Sequence, residues 1–205
     1  MEDKQLVDKA KAGDSAAFEQ LVLLHQKVVY NYCLRMCGNR EDALDLSQDA
    51  FLKAYKSLAF FKGESSFSTW MYRLTVNVCI DFLRSRKRHK SVSLTVENDD
   101  GEKEVLQIPD ERESIEKHVE RKELRAAIER GINMLSEAHR QVLVLREING
   151  CSYAEISEIL DINEGTVKSR ISRARIELAK YLKEYRNFSA ADTSEKTKGG
   201  EPYGM

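Results

Sequence analysis

Two groups of side chains in this chain have the chemistry to hold nucleic acid. The first lies in SYAEISEILDINEGTVKSRISRARIELAKYL, Ser152 to Leu182. There Glu164, Lys168, Ser169, Ser172 and Arg173 share one face of a helical spacing, and Val167, Ile171, Ala174 and Leu178 share the opposite face. A short-chained, cationic face suits a helix in the major groove, where Lys and Arg read guanine edges and Ser reaches bases or phosphates. Arg170 and Arg175 flank it and are better placed for phosphates. The second group combines the aromatic run FSTWMYR, Phe67 to Arg73, with the basic run RSRKRHK, Arg84 to Lys90. Unstacked bases regain stacking on aromatic rings while cations follow the phosphates, which is the chemistry of single-stranded nucleic acid binding. Trp70 and Phe67 are read as core. Tyr72, Asn77 and the basic residues Arg84, Arg86, Lys87 and Arg88 admit either role, DNA contact or ordinary helix surface and core.

The elements that must position these groups are helices. Ser152 with Glu155 three residues on forms a capping box, and Asn163 can cap a second helix after a short turn, so the stretch is a helix-turn-helix. Its first helix buries Ile156 and either Ile159 or Leu160. Upstream, Asp3 to Ala12 predicts a short helix that breaks at Gly13. Asp14 caps a longer one that buries Phe18, Leu21, Val22, Val28, Val29, Tyr32 and Leu34 and ends at Gly38. Asn39 caps a third over Glu41 to Leu58, with Leu44, Phe51, Ala54, Tyr55 and Leu58 as its inward stripe. Its outer face carries Asp45, Gln48, Asp49, Leu52 and Lys53, which fits either a protein-docking surface or a solvated face. A loop with Phe60, Phe61, Lys62 and Gly63 precedes a long helix from Phe67 to Arg88. Helices resume over Ser114 to Ile132, on Ile115, Val119, Leu124 and Ile128. Another starts at Ser136, with Val142, Leu145 and Ile148 inside, and ends at Asn149 and Gly150.

The fold class expected is therefore all-α: two helical bundle domains, residues 1–90 and 114–187, joined by a flexible acidic linker at 91–113. A disordered tail is expected at 188–205. Two prolines, ten glycines and abundant helix formers agree. The net charge of -1 decides nothing, but its distribution sets an acidic connector between two basic surfaces. No apolar run reaches membrane-spanning length and the N-terminus lacks a signal-peptide core, so a cytoplasmic protein with no membrane insertion is expected. The four cysteines have no ligand spacing; neither a metal nor a cofactor is expected, and buried thiols are the reading, with a redox role for Cys33 and Cys37 as the alternative.

Three segments carry a resemblance: DLSQDAFLKAY at Asp45 to Tyr55, FFKGESSFSTWMYRLTVNVCIDFLRSRKR at Phe60 to Arg88, and LREINGCSYAEISEILDINEGTVKSRISRAR at Leu145 to Arg175. Together they resemble the extracytoplasmic-function group of sigma-70 factors. The resemblance implies that the first domain is sigma region 2, gripping the clamp helices of RNA polymerase's largest subunit through Asp45, Gln48 and Asp49, on the face shared with Leu52 and Lys53. It implies that Phe61, Tyr72 and Asn77 line the loop and pocket for a flipped base of the minus-ten element, with Lys62, Arg73 and the basic run beside them. Region 4 would then read the minus-thirty-five element through Lys168, Ser169, Ser172 and Arg173. Some relatives carry a bulky aromatic where this chain has Ser172. The linker would thread the polymerase's RNA channel, and an anti-sigma factor would hold the chain until a stress or envelope signal releases it.

Two other classes compete. A helix-turn-helix regulator acting without core polymerase needs only the C-terminal half and leaves the aromatic and basic helix unexplained. A recombinase needs a catalytic half built on a mixed sheet, for which residues 1–90 offer neither strands nor a glycine-rich loop, so an enzyme is not expected.

Overall fold

The computed structural model describes the backbone of residues 2–92 and 115–196, and the side chains of 3–88 and 121–187. The described residues are all-helical: α1 (Glu2–Lys11), α2 (Ser15–Cys37), α3 (Arg40–Ser57), α4 (Phe67–Val92), α5 (Ile115–Met134), α6 (Glu137–Leu143), α7 (Tyr153–Leu160) and α8 (Glu164–Lys196). An N-terminal helical domain, α1 to α4, is followed by a C-terminal domain, α5 to α8. The expected linker lies outside the described residues except at its start, where α4 continues to Val92.

Local hydrogen bonding sets the boundaries. The Asp14 carboxylate accepts from the Ala16 and Ala17 N–H groups, and Gly38 at φ 75 closes α2 by donating its N–H to the Leu34 carbonyl. The Asn39 side chain accepts from Glu41 and Asp42 N–H and starts α3 at once, so α2 and α3 fold back on each other. Leu21, Val29, Tyr32, Cys33 and Met36 of α2 meet Ala43, Leu46, Ala50 and Ala54 of α3, and α4 closes the bundle with Met71, Val76, Val78 and Cys79.

This stripe corrects the expected one on α3. Leu44 is 52% and Tyr55 58% exposed, while Ala43, Ala50 and Ala54 are fully buried. Small residues let α2 and α3 approach closely, and the larger apolar side chains are left outside. The C-terminal domain repeats the lesson. Leu124 is 55% exposed and Ala127 is buried in its place. Close packing is explicit at Gly131, where a Cβ would stand 2.6 Å from Leu178 Cδ1 on α8. Ile148, expected inside, is 40% exposed. Here α6 runs into a π turn, Val144–Ile148, whose extra residue per turn rotates Ile148 outward. Helix α8 continues to Lys196, past the point where an aperiodic tail was expected; Ala190 and Ala191 favour helix, and the next glycine is Gly199. The remainder of that tail lies outside the described residues.

Cys33 and Cys79 place their sulfurs 3.8 Å apart in the core, and Cys37 turns away to donate its thiol to the Asn39 carbonyl at 3.2 Å. The close pair is thus not the one that sequence spacing suggested. Its shared hydrogen bond and burial push the Cys79 thiol well above the usual range, so it is a packed thiol and not a reactive one.

Candidate nucleic-acid and polymerase interfaces

The helix-turn-helix forms as its sequence dictates. Ser152 Oγ accepts from the Glu155 N–H at 3.2 Å, and the Glu155 carboxylate accepts from the Ser152 N–H at 2.7 Å. These bonds hold the Glu155 carboxyl below its usual pKa. Asp161 adopts the left-handed conformation at φ 52 to end α7. Asn163 Oδ1 then accepts from the Thr166 N–H at 2.8 Å and starts α8. Ile156 and Ile159, and not Leu160, are the buried pair on α7; Val167, Ile171 and Ala174 are buried on α8.

With that side of α8 packed, Lys168, Ser169, Ser172 and Arg173 are all exposed along the other. Arg170 is half-buried, and neither Arg170 nor Arg173 is engaged in an ion pair among the described residues. Lys168 lies 3.8 Å from Glu164 and 5.9 Å from the Tyr153 ring, whose face also receives Arg146 at 4.9 Å. Ser169 Oγ donates to the Thr166 carbonyl at 3.0 Å. Arg175 is occupied: its Nε donates to Glu147 Oε1 at 3.1 Å, and that pairing raises its pKa.

On α3, Asp45, Gln48, Asp49, Leu52 and Lys53 are all exposed, and Leu44 extends the same surface by one turn. Leu52 is 55% exposed, giving the acidic and amide face an apolar centre.

The aromatic and basic group is divided by the fold. Phe61 is buried, packed at 4.9 Å between ring centroids on Trp70 and at 6.2 Å on Phe67. Its neighbour Phe60, which the sequence did not single out, is 81% exposed. Two adjacent phenylalanines give no periodic signal for which turns inward. Lys11 Nζ donates to the Phe61 carbonyl at 2.6 Å and ties the loop to α1. Lys62, Asn77, Arg84, Arg86, Lys87 and Arg88 are exposed, with Arg86 3.6 Å from Asp42 and Lys87 3.0 Å from Glu137.

Tyr72 and Arg73 meet the C-terminal domain. Asn149 Nδ2 donates to the Tyr72 hydroxyl at 2.8 Å, and Tyr72 is 7% exposed. Burial pushes its pKa up to about 12, the Asn149 bond acting in the opposite sense. Arg73 Nη2 donates to Glu158 twice, to its carbonyl at 3.1 Å and its carboxylate at 3.0 Å. Nearby, Arg140 Nη1 donates to the Met36 carbonyl at 3.0 Å at the end of α2, and Nη2 to the carbonyls of Asn133 and Leu135. This seam is incompletely satisfied. Tyr32 Oη, Arg140 Nε and Asn149 Oδ1 are buried without a hydrogen-bond partner among the described residues. Each such group costs roughly 1–3 kcal/mol. Arg140 and Asn149 were not found from the sequence, since each reaches across to the other domain, Arg140 to Met36 and Asn149 to Tyr72.

Among the described residues, no three His, Cys, Asp or Glu side chains gather as a metal site requires, and no helix is long and apolar enough to cross a membrane.

Comparison with known proteins agrees with this geometry. Residues 21–89 match the Sigma-70 region 2 family, and residues 125–178 match Sigma-70, region 4. The RNA polymerase sigma-H factor of Pseudomonas aeruginosa is 36% identical over 185 residues, covering 88% of this chain and 94% of its own. The ECF RNA polymerase sigma factor SigW of Bacillus subtilis is 36% identical over 181 residues, covering 88% and 97%. The ECF RNA polymerase sigma-E factor of Escherichia coli is 37% identical over 177 residues, covering 84% and 90%. Among solved structures, the sigma factor RpoE of Bartonella quintana, crystallised with the anti-sigma factor NepR, is 27% identical with a TM-score of 0.63, covering 81% of this chain and 96% of that one. A helix-turn-helix regulator acting without polymerase leaves the region 2 match unexplained. The chain therefore belongs to the extracytoplasmic-function (ECF) group of the sigma-70 family, non-enzymatic RNA polymerase sigma factors that initiate transcription.

Proposed function

We propose that residues 1–90 dock on the clamp helices of the polymerase's largest subunit and capture the melted minus-ten strand, while residues 114–187 read the minus-thirty-five duplex. The observation that carries this reading is the solvent-facing row of Lys168, Ser169, Ser172 and Arg173 on a helix whose other side is packed. Docking uses Asp45, Gln48 and Asp49 around Leu52, with Lys53 at the edge. Strand capture uses Asn77, Lys62 and the basic end of α4, with Phe61 as the packed base of the loop. Tyr72 and Arg73 join once the C-terminal domain releases them. Opening a promoter requires unpairing at a few kcal/mol per flipped base, and capture of the unpaired strand offsets this; no bond is made or broken. The chain acts in the cytoplasm in a stress or envelope response.

An anti-sigma factor is part of the proposal. The Bartonella relative is solved with one, and the all-helical arrangement here has the same fold. In vitro transcription with core polymerase tests the whole reading. Asp49→Arg reverses charge on the docking face and leaves the buried side of α3 intact, so a folded variant should lose core binding in a pull-down. Undiminished binding by that variant would remove the face from the docking surface.

A further inference from the structure

Helix α1 lies outside the region 2 match, which begins at residue 21, and no sequence motif gives it a task. Its contacts converge on the loop that joins α3 to α4. Between Phe61 and Ser66 that loop has little of its own to fix it: Lys62, Gly63, Glu64 and Ser65 make no hydrogen bond or ion pair among the described residues, and Gly63 turns the chain at φ 75. Its shape is therefore imposed at its two ends. At the downstream end Ser66 Oγ accepts from the Thr69 N–H at 3.0 Å and starts α4. At the upstream end the Phe61 N–H closes a short helical turn on the Leu58 carbonyl at 3.1 Å, and the Phe61 carbonyl accepts from Lys11 Nζ at 2.6 Å.

The Phe61 carbonyl belongs to the planar peptide that leads into Lys62, so anchoring it fixes the direction in which the loop leaves the buried Phe61 ring. An ammonium donor makes this a charge-assisted bond, stronger than one between neutral groups. Helix α1 reaches the other end of the loop through α2. Asp3 Oδ2 lies 3.0 Å from His25 Nε2, and the His25 ring packs on Phe67, the first residue of α4, at 5.2 Å between centroids. Val7, midway between Asp3 and Lys11 and 5% exposed, seats α1 on the core. We infer that α1 is a brace for this loop, with Lys11, Asp3 and His25 as positioning residues that touch no DNA themselves. They hold the loop in the shape in which Lys62 meets the melted strand, so base discrimination in the minus-ten element depends on α1. This rests on the proposal that the loop faces that strand, and it adds that the loop's shape is set from outside its own sequence. Lys11 is also the last residue of α1, where an ammonium favours the helix dipole. That role alone would change stability and leave base preference as it is.

Holoenzyme assembled from this full chain and core polymerase tests the brace on promoter templates with a pre-melted bubble, each minus-ten position being set in turn to every base. Lys11→Met keeps the aliphatic stem and removes the donor. It should reduce base discrimination in the bubble several-fold, while binding to core polymerase and to the minus-thirty-five duplex stays at the parental level. Lys11→Arg, which can still donate, should restore the discrimination, and Asp3→Ala should reduce it by a smaller factor. Should Lys11→Met fail to fold, Asp3→Ala carries the prediction, with the thermal midpoint of the free chain showing that its fold is intact. Variants that lower the thermal midpoint yet keep the parent's full base preference overturn the inference, because α1 would then serve stability alone. If Lys62→Ala weakens bubble binding while the Lys11 and Asp3 variants alter neither preference nor binding, the loop faces the strand and α1 does not shape it. If Lys62→Ala leaves bubble binding unchanged, the loop does not face the strand and both readings fall together.

Discussion

Lys168, Ser169, Ser172 and Arg173 face solvent along α8, whereas Tyr72 and Arg73 on α4 are held by the opposite domain. The two proposed reading surfaces thus differ in readiness. One is preformed, a rigid helix face needing no rearrangement to enter a groove. The other is in part a contact within the molecule, and its use requires that contact to break. Duplex recognition can therefore precede strand capture. The seam suits such a sequence, because three buried polar atoms there lack partners and the ion pair of Arg73 is 42% exposed on both side chains. Exposed pairs contribute roughly 0–1 kcal/mol, so Arg73 adds little beside Arg140, the less exposed Arg35–Glu129 pair at 3.4 Å and packing.

The sharpest way to break this contrast is Arg140→Ala. It removes a guanidinium that donates to three carbonyls across the end of α2 and the α5–α6 corner. Only the Met36 bond crosses between the domains; a hydrogen bond from a charged donor contributes roughly 1.5–3 kcal/mol, so its loss should loosen the seam. Small-angle scattering should show a larger radius of gyration, and the free chain should bind a minus-ten oligonucleotide more tightly. An unchanged radius would show that the seam does not depend on Arg140.

The contrast predicts a smaller, local effect on the preformed surface. Arg173→Ala should cost about 1–3 kcal/mol on the preferred upstream element and flatten discrimination at one base pair. Selection from a randomised element measures this; retention of the parent's base preference would take Arg173 off the reading face. Arg175→Ala should do least. Its guanidinium already serves Glu147, so it would weaken binding to all sequences alike and lower the salt slope by about one phosphate contact at most. Titrations at several salt concentrations separate the two arginines.

These differences also show what a sequence carries. The caps at Asp14, Asn39, Ser136, Ser152 and Asn163 were legible because each bond closes within three residues of its donor. The α8 stripe was legible because its apolar residues are large and evenly spaced. The α3 stripe was not, because its buried face is built from alanines while Leu44 and Tyr55 carry the stronger apolar signal outward. Ile148 was misplaced by a π turn that leaves no compositional mark. The covering of Tyr72 by Asn149 joins residues 77 apart in sequence, and the loop at Phe61 is tied to α1 by Lys11 reaching a carbonyl 50 residues away. Roles fixed by long-range contacts of this kind have no local pattern to read.

The division of labour between the two surfaces is tested most directly by permanganate footprinting of holoenzyme on a native promoter, alongside gel shifts of the closed complex. Asn77 is exposed on α4 and engaged by no other side chain among the described residues, so Asn77→Ala perturbs strand capture without disturbing the core. The account predicts that Asn77→Ala forms closed complexes at parental affinity and loses thymine reactivity in the minus-ten region, while Arg173→Ala weakens the closed complex itself. Equal losses in both steps for both variants would contradict the claim that one surface reads duplex and the other the melted strand.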